Sequence, residues 1–491
     1  MPFSRRDFGS GAQHQEFFVK LNKIMLLLAV AWPAWLRADV TPSPLFTANA
    51  VIQRETEVPV WGTAAAGEKI TVTFAGQKQS AVADAVGNWE VRLSALPANV
   101  RGTLTVQGRN TVALTNVVTG DVWLCAGQSN MGLKVSEATN ASAEIAAANQ
   151  PDIRQLGVPE NPAPEPQPDT SIKSIWQVAS PKTVGDFSAA GYFFAREIHA
   201  TINVPVGIIH SSYGGTPIQS WLSLEILENF PGYRQALESY KDKPAPPAIA
   251  AFFPARLYNG MIHPLIRFRI KGMLWYQGEG NAGNGPSGAR EYADLQGRLI
   301  ESWRQDWGAG DLPFYFVQLP NWSNPSDASQ KSWAFFREGQ STCLKIPNTG
   351  MAVTLDIGES GSLHSKNKQA VGHRLALLAL ADTYHQPVNA SGPVMADCTV
   401  EKNTIRVRFA HAEGGLISRD GLAPAGFEIA GAEGNFFPAS ATLERDTVVV
   451  SSPEVASPAY VRYAWADNPS VNLCNTNGLP AAPFRTDQLP R

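Results

Sequence analysis

The pattern that most constrains this chain begins at Asp121, where apolar strand-like runs start to alternate with segments of helical periodicity. The first run is Val122–Ala126, and Ser188 can cap a helix after it. Further runs begin at Val206, Lys271, Phe314 and Met351. Strand–helix alternation is typical of a parallel sheet with helices on both faces. We therefore predict an α/β domain over residues 121–395.

The segments on either side of this domain have a different residue pattern, with short strand-like runs and no helical periodicity between them. Residues 39–120 contain short alternating runs such as Lys69–Phe74, separated by Gly and Asn turns, which predicts a β-sandwich. Residues 396–491 return to short strands such as Thr404–Phe409. We predict a β-rich C-terminal region there.

The N-terminal segment is typical of an export signal. Residues 24–36 form an apolar run that is too short to span a bilayer of about 30 Å. Lys20 and Lys23 precede it, and Ala38 offers a small residue for cleavage. The sequence predicts a signal peptide over residues 1–38 and a periplasmic or secreted mature chain without a membrane span. Ser4–Phe8 resembles a twin-arginine signal, so the route and the start codon stay open.

Charge and cysteine content exclude several classes of protein. The chain has 40 Lys and Arg against 43 Asp and Glu, which argues against nucleic acid as a partner. Four cysteines without a C-x-x-C pair make a zinc ribbon or a disulfide scaffold improbable. Cys125 lies mid-strand and is expected to be a buried apolar side chain. The other three cysteines can include one disulfide, whose pairing is open.

Four of the predicted strands end in residues that can carry chemistry. Gly127–Met131 presents Ser129, and Ser211–Thr216 contains the adjacent Gly214 and Gly215. The carboxyl ends of parallel strands meet at one edge of a sheet, where ligands gather. A serine hydroxyl there is a candidate nucleophile, and glycine N–H groups are candidate oxyanion donors.

The other two strand ends supply a second donor and a base. Trp275–Asn281 places the Asn281 amide after one strand, and His364 lies in a loop between another strand and a helix. Nucleophile, oxyanion donors and base together predict an acyl-transfer site. Each of these motifs alone is equally consistent with a helix cap, a glycine turn or an ordinary loop.

One motif in this region suggests a different chemistry. Gly278–Gly283 fits the G-x-G-x-x-G pattern of dinucleotide-binding turns. No convincing helix start follows it, since Asn284–Gly288 is rich in Gly and Pro, and the acidic residue expected further on is missing. The sequence therefore predicts no dinucleotide site.

The four motifs together resemble the sialate O-acetylesterase group of SGNH hydrolases. The matching blocks are Gly-Gln-Ser-Asn-Met, Gly-Gly-Thr with Trp221 following, Trp-Tyr-Gln-Gly-Glu-x-Asn and His-x-Lys-x-Lys. The resemblance covers residues 45–488 and implies a flavodoxin-like SGNH hydrolase domain with β-rich additions. It implies Ser129 as nucleophile, His364 as general base, Asn281 as oxyanion donor, and Gly214 or Gly215 as a backbone donor. We assign the remaining motif side chains to substrate binding: Gln128, Trp221, Gln277 and Glu279.

The chain departs from the commoner pattern beside the histidine. SGNH enzymes often carry an Asp two or three residues before the His, and here Gly361 and Ser362 occupy those positions. An imidazole still needs its tautomer fixed. The candidates are Asp356, a backbone carbonyl near Ser362, and Glu359.

The resemblance implies a serine esterase that removes O-acetyl groups from sugars, through an acyl-enzyme and without a metal or organic cofactor. O-acetylated sialic acid is the expected substrate, and acetylated xylan or a related glycan is the alternative. A non-enzymatic carbohydrate-binding protein is the competing class.

Overall fold

The computed structural model describes residues 39–240 and 246–488. The predicted signal peptide lies outside the described residues. Within them, none of the helices is long and apolar enough to cross a membrane.

The N-terminal part of the chain is built from β-strands. Its strands are β1 (Thr41–Pro42), β2 (Val51–Gln53), β3 (Val58–Thr63), β4 (Lys69–Phe74), β5 (Gln77–Val82), β6 (Asn88–Leu93), β7 (Arg101–Gln107) and β8 (Thr111–Gly127). β1, β3 and β6 form one sheet, while β5, β4 and β7 connect in a second sheet to β8. β4 and β6 alternate buried and exposed residues, because each presents one face to the core.

A mixed sheet forms the centre of the molecule. Its further strands are β9 (Gln150–Gly157), β10 (Gln177–Ala179), β11 (Val206–Ser212), β12 (Gly272–Tyr276), β13 (Phe314–Val317) and β14 (Thr349–Ala352). The order is β10-β9-β11-β8-β12-β13-β14. All neighbours are parallel except β10, which runs antiparallel to β9, so the predicted parallel sheet has an antiparallel edge.

Helices cover both faces of this sheet, as the strand–helix alternation predicts. They are α1 (Ser129–Gly132), α2 (Ala141–Ala147), α3 (Ala189–Ile202), α4 (Leu224–Glu228), α5 (Pro231–Tyr240), α6 (Gly285–Trp307), α7 (Ser332–Thr342) and α8 (Lys368–Leu378). Trp123 and Cys125 share one core with α3 and α8, whereas Leu124 and Ala126 share the opposite core with α6 and α7. Successive residues of a strand point to opposite faces, so a strand buried on both sides is apolar throughout.

Short helical turns connect these elements. The 3₁₀ turns are Val135–Glu137, Asp169–Ser171, Val184–Asp186, Ile218–Trp221, Pro247–Phe252, His263–Leu265 and Cys343–Lys345. Tyr258–Ile262 and Ala379–Thr383 are π-helical.

The C-terminal region is β-rich. Its strands are β15 (Val394–Glu401), β16 (Thr404–Ala410), β17 (Leu416–Ser418), β18 (Phe427–Ala430), β19 (Phe436–Pro438), β20 (Ser440–Glu444), β21 (Thr447–Ser451), β22 (Tyr460–Tyr463), β23 (Leu473–Asn475) and β24 (Phe484–Arg485). They form two four-stranded sheets and one two-stranded sheet around a core of their own. Leu355, which follows β14, packs into that core.

Several local predictions have clear outcomes. Ser188 caps α3, accepting a hydrogen bond from the Gly191 N–H at 3.2 Å. The expectation that no helix starts after Gly283 is wrong, because α6 begins at Gly285 with a proline in its first turn, where a missing N–H costs nothing. The disulfide that the cysteines could form is not present, since all four cysteines are free. Cys125 is fully buried, as predicted.

Candidate active site

Ser129 stands on a tight turn where β8 meets α1. Gly127 ends the strand with φ +144°, and a Cβ placed on it would lie 2.1 Å from the Tyr276 carbonyl oxygen. Only glycine fits so close an approach at a positive φ. The Gln128 N–H donates to that same carbonyl at 3.0 Å, which fixes the turn against β12. Ser129 is thereby presented at the first position of α1.

The serine and the histidine predicted as a pair lie in contact. His364 Nε2 lies 2.8 Å from Ser129 Oγ, although the two residues are 235 positions apart in sequence. His364 projects from the loop between β14 and α8 and is exposed, and Ser129 is half-buried. A serine within hydrogen-bond reach of an imidazole has a base for its proton, which is the arrangement of an activated nucleophile.

The paired glycines after β11 lie beside the serine. β8 and β11 are in register, with Gly127 opposite Ser212, so their following loops meet at one edge. A Cβ on Gly214 would lie 3.7 Å from the Ser129 Cβ. Gly215 adopts φ +73°, a conformation that glycine takes without strain. Within the described residues, the N–H groups of Ser129, Gly214 and Gly215 have no hydrogen-bond acceptor, so they remain available to an oxyanion.

Asn281 is held in one orientation by its side-chain oxygen. Its Oδ1 accepts from the Ile218 N–H at 2.8 Å and from Gln277 Nε2 at 2.9 Å. Its Nδ2 donates to Gln219 Oε1 at 3.1 Å. An amide nitrogen carries two N–H groups, so one of them remains for a ligand.

Two glycines of the G-x-G-x-x-G motif, Gly278 and Gly280, serve loop packing. A Cβ on Gly280 would lie 2.7 Å from the Thr216 carbonyl oxygen, and one on Gly278 would lie 2.8 Å from the Phe336 ring. The small residues therefore let the loop after β12 press against the loop after β11 and against α7.

Two of the predicted substrate-binding residues hold these loops together. Gln128 is 3% exposed, and its Oε1 accepts from the N–H groups of Gly278 and Gly280 at 3.4 and 3.1 Å. Gln277 is fully buried between Thr216, Asn281 and Tyr292. Their side chains are enclosed and already paired within the protein, and their contact with substrate stays a prediction.

Trp221, also predicted to bind substrate, is enclosed in the same way. It is fully buried, and its indole N–H donates to Thr216 Oγ1 at 3.1 Å. Its ring packs edge-on against Trp275 with centroids 5.9 Å apart. Trp221 supports the loop after β11 from within the core.

Asp356 is engaged away from the histidine. Arg374 forms a bidentate pair with it at 2.6 and 2.7 Å, and Arg419 approaches to 2.6 Å. Burial alone would raise the pKa of Asp356, but the two guanidinium groups outweigh it and hold that pKa below its usual value. Both carboxylate oxygens are therefore committed to arginines.

The other candidates for orienting the imidazole also have different roles. Glu359 accepts a hydrogen bond from the Lys366 N–H at 2.8 Å. The Ser362 hydroxyl accepts from the His364 backbone N–H at 3.1 Å. Among the described residues, no group makes a hydrogen bond to His364 Nδ1, so the pair Ser129–His364 stands without a carboxylate partner.

A buried cluster beneath this pair is missing from the sequence prediction. Asn130 and Lys368 are both fully buried and linked at 2.6 Å, and Asn130 also contacts Glu279. Glu279 was expected to bind substrate, and one of its oxygens is taken by Asn130. Lys368 is the first residue of α8, where the helix dipole disfavours a positive charge. A lysine at this position therefore indicates a specific contact for its ammonium group.

The described ranges contain no group of three or more His, Cys, Asp and Glu side chains arranged to hold a metal ion.

Comparison with known proteins agrees with this geometry. The family model described as "Carbohydrate esterase, sialic acid-specific acetylesterase" matches residues 119–381, which is more than half of the chain. The rat sialate O-acetylesterase is 32% identical over 393 residues, covering 68% of this chain and 72% of the relative. The human sialate O-acetylesterase is 32% identical over 376 residues, covering 68% and 69%.

A solved structure extends the similarity beyond the matched domain. The crystal structure of a carbohydrate acetylesterase from Xanthomonas citri is 38% identical, with a TM-score of 0.84. The alignment covers 92% of this chain and all of that one. The β-rich regions on both sides of the central sheet are therefore largely within the similar part.

Proposed function

Given that the chain belongs to the sialic acid-specific acetylesterase family of carbohydrate esterases, we propose that it hydrolyses O-acetyl esters of sugars with Ser129 as nucleophile and His364 as general base. The contact of 2.8 Å between His364 Nε2 and Ser129 Oγ carries this proposal. The family is one of carboxylic ester hydrolases, which favours an enzyme over a non-enzymatic carbohydrate-binding protein.

The chemistry follows from that contact in two halves. Ser129 Oγ attacks the acetyl carbonyl carbon while His364 Nε2 takes the hydroxyl proton. The tetrahedral intermediate collapses, the bond to the sugar oxygen breaks, and His364 returns the proton to the departing sugar hydroxyl. Water then gives a proton to His364 and its oxygen attacks the acetyl-serine. When this second intermediate collapses, the ester bond to Ser129 Oγ breaks, acetate leaves, and His364 returns the proton to Ser129 Oγ.

The oxyanion of each intermediate needs donors on the opposite side from the base. The N–H groups of Ser129 and of Gly214 or Gly215 are free to supply them, and the unpaired N–H of Asn281 is the third donor in this proposal. Donors held in place before the reaction stabilise charge that develops only in the transition state. Asn281 suits this role because its Oδ1 is anchored by two hydrogen bonds.

We propose O-acetylated sialic acid as the substrate, since the mammalian relatives carry that activity in their names. The Xanthomonas citri relative is named only as a carbohydrate acetylesterase, which keeps acetylated xylan or another glycan as the alternative. The chemistry at Ser129 is the same for both.

The domain organisation is proposed on the same basis. With β9 set aside, the parallel strands β11-β8-β12-β13-β14 have the order 2-1-3-4-5, which is that of flavodoxin-like folds. That order supports an SGNH hydrolase domain over residues 121–395, between a β-sandwich at 39–120 and a β-rich region at 396–491. We further propose that residues 1–38 direct export.

Two assays test the function. The purified chain should release p-nitrophenol from p-nitrophenyl acetate, and a binding module would leave that ester intact. Acetate release is then measured from a panel of O-acetylated sialic acid, acetylated xylan and acetylated xyloglucan. Turnover of xylan with none of sialic acid would replace the first substrate by the alternative.

A further inference from the structure

Lys368 makes an unusual pair of contacts beneath the catalytic pair. Its side chain is fully buried at the start of α8. The Nζ ammonium donates to Asn130 Oδ1 at 2.6 Å and to the Ser365 carbonyl oxygen at 2.7 Å. Ser365 directly follows His364, so the ammonium holds the peptide on one side of the histidine.

Asn130 holds the peptide on the other side. Its Nδ2 donates to the Leu363 carbonyl oxygen at 2.9 Å and to Glu279 Oε1 at 2.5 Å. Leu363 directly precedes His364, and Asn130 directly follows the nucleophile Ser129. One side chain next to the nucleophile therefore fixes the backbone next to the base.

The cluster is charged, with Lys368 and Asn130 fully buried and Glu279 half-buried. The Tyr276 ring lies under the ammonium with its centroid 5.1 Å from Lys368 Nζ. Glu279 Oε2 is buried without a hydrogen-bond partner in the described structure. Burial lowers the pKa of Lys368 to about 8 and raises that of Glu279, with Glu279 and Glu359 acting in the opposite sense on the lysine.

Stability alone is a weak reason for such a group. Removing charged groups from water carries a desolvation penalty that their mutual attraction often only balances. Proteins in which apolar residues replace a buried ion pair are often no less stable. Asn130 and Lys368 donate to the two backbone carbonyls that flank His364. These contacts indicate that the cluster positions the histidine.

We propose that Lys368, Asn130 and Glu279 are positioning residues, which clamp the backbone from Leu363 to Ser365 and hold the imidazole against Ser129. The clamp stands in for the carboxylate that elsewhere orients a catalytic histidine. This inference rests on the proposed function, because it acts through His364.

The experiment is a double-mutant cycle with p-nitrophenyl acetate. Lys368→Met, His364→Ala and the combined variant are compared with the parent chain, and Lys366→Met serves as the matched control because Lys366 is exposed in the same loop. We expect Lys368→Met to lower kcat about 10- to 100-fold with KM within about threefold, as for a misplaced catalytic group. In the His364→Ala background, the same change should have no further effect, because the group it positions is already gone.

The outcomes separate this inference from the proposed function. If His364→Ala retains parent activity, the proposed function fails. If His364→Ala is strongly impaired but Lys368→Met matches the Lys366→Met control, the positioning role is wrong. The role is also wrong if the Lys368→Met loss recurs in full in the residual activity of the His364→Ala variant. Should Lys368→Met not fold, Asn130→Asp is judged by the same cycle, since it replaces the amide donors to Leu363 and Glu279 by a carboxylate and keeps an oxygen that accepts from Lys368. Failure of both variants to fold would also overturn the inference, because the cluster would then serve folding.

Discussion

Arg419 of the C-terminal region lies 2.6 Å from Asp356, eight residues before the histidine of the candidate site. The Asp356 side chain is only 4% exposed and that of Arg374 9%, so their bidentate contact is shielded from water, whereas Arg419 is 42% exposed. Asp356 therefore ties the loop after β14 to the C-terminal β region. Its role in the fold is that of a buried ion-pair centre.

Asp356→Asn should cost stability while sparing catalysis. Losing one partner of a buried ion pair destabilises by about 3–5 kcal/mol. We expect the variant to keep at least about 1% of parent kcat below its melting point, against the 10⁴-fold loss of an Asp→Asn change in a true triad. Urea unfolding and kcat on p-nitrophenyl acetate measure the two effects. Glu359→Gln is the companion variant with the same activity threshold, and His364→Ala should fall far below both. A kcat for Asp356→Asn as low as that of His364→Ala would make Asp356 a third catalytic member.

The Asp356 contribution to stability should depend on pH in one direction. Its pKa is lower in the folded chain than the value of about 3.9 in an unfolded chain, so the folded state holds fewer protons here. The stabilisation is therefore present above pH 4 and is lost as the pH falls through the folded pKa. The difference in unfolding free energy between parent and Asp356→Asn should stay constant from pH 7 to 5 and shrink below pH 4. A difference that grows on acidification would contradict the ion pairing.

Ser129→Ala should abolish esterase activity without unfolding the chain. By analogy with other serine hydrolases, kcat should drop by about 10⁴–10⁶. The matched control is Ser212→Ala, since Ser212 Oγ also lies 2.8 Å from an imidazole, that of His210. The control should keep activity within about threefold of parent, because half-buried Ser212 pairs with His210 and not with His364. Activity of Ser129→Ala within tenfold of parent would remove it as the nucleophile.

Asn281→Ala should lower kcat by about 10²–10³ with little change in KM, because an oxyanion donor acts mainly on the transition state. Asn284→Ala, an exposed change in the same loop, is the control. Steady-state kinetics on p-nitrophenyl acetate distinguish the two parameters. An effect confined to KM would assign Asn281 to sugar binding.

The proposed export is tested at the N-terminus of the mature protein. When the full chain is expressed in a secreting bacterial host, N-terminal sequencing of the exported protein should begin near Asp39. Exported material that still starts at Met1 or Met25 would count against the signal peptide.

Much of the site could be predicted because it depends on strand ends. Buried strands are visible as apolar runs, and parallel strands bring their following loops to one edge, so Ser129 and Gly214 meet as expected. His364 joins them because β14 lies in the same sheet. Local pattern and topology were sufficient for these positions.

The remaining roles depend on contacts that no local pattern contains. A glutamine at a strand end looks the same whether it faces a ligand or, like Gln128, pairs with the next loop. Asp356 pairs with Arg419, 63 positions away, and that choice belongs to the packing of the C-terminal region. The sequence does not predict the start of α6, because the glycines after Gly283 indicate a loop. The proline among them is compatible with the first turn of a helix, and α6 begins there.

The length of β8 has a consequence for how the molecule can be divided. Its first half pairs with β7 and β2, its second half pairs with β11 and β12, and Ser129 stands two residues beyond its end. A deletion that removes the N-terminal strands would remove hydrogen-bond partners from the same strand that presents Ser129. A shortened enzyme for crystallography or engineering should therefore keep residues 39–120, and amide exchange should show both halves of β8 opening as one cooperative unit.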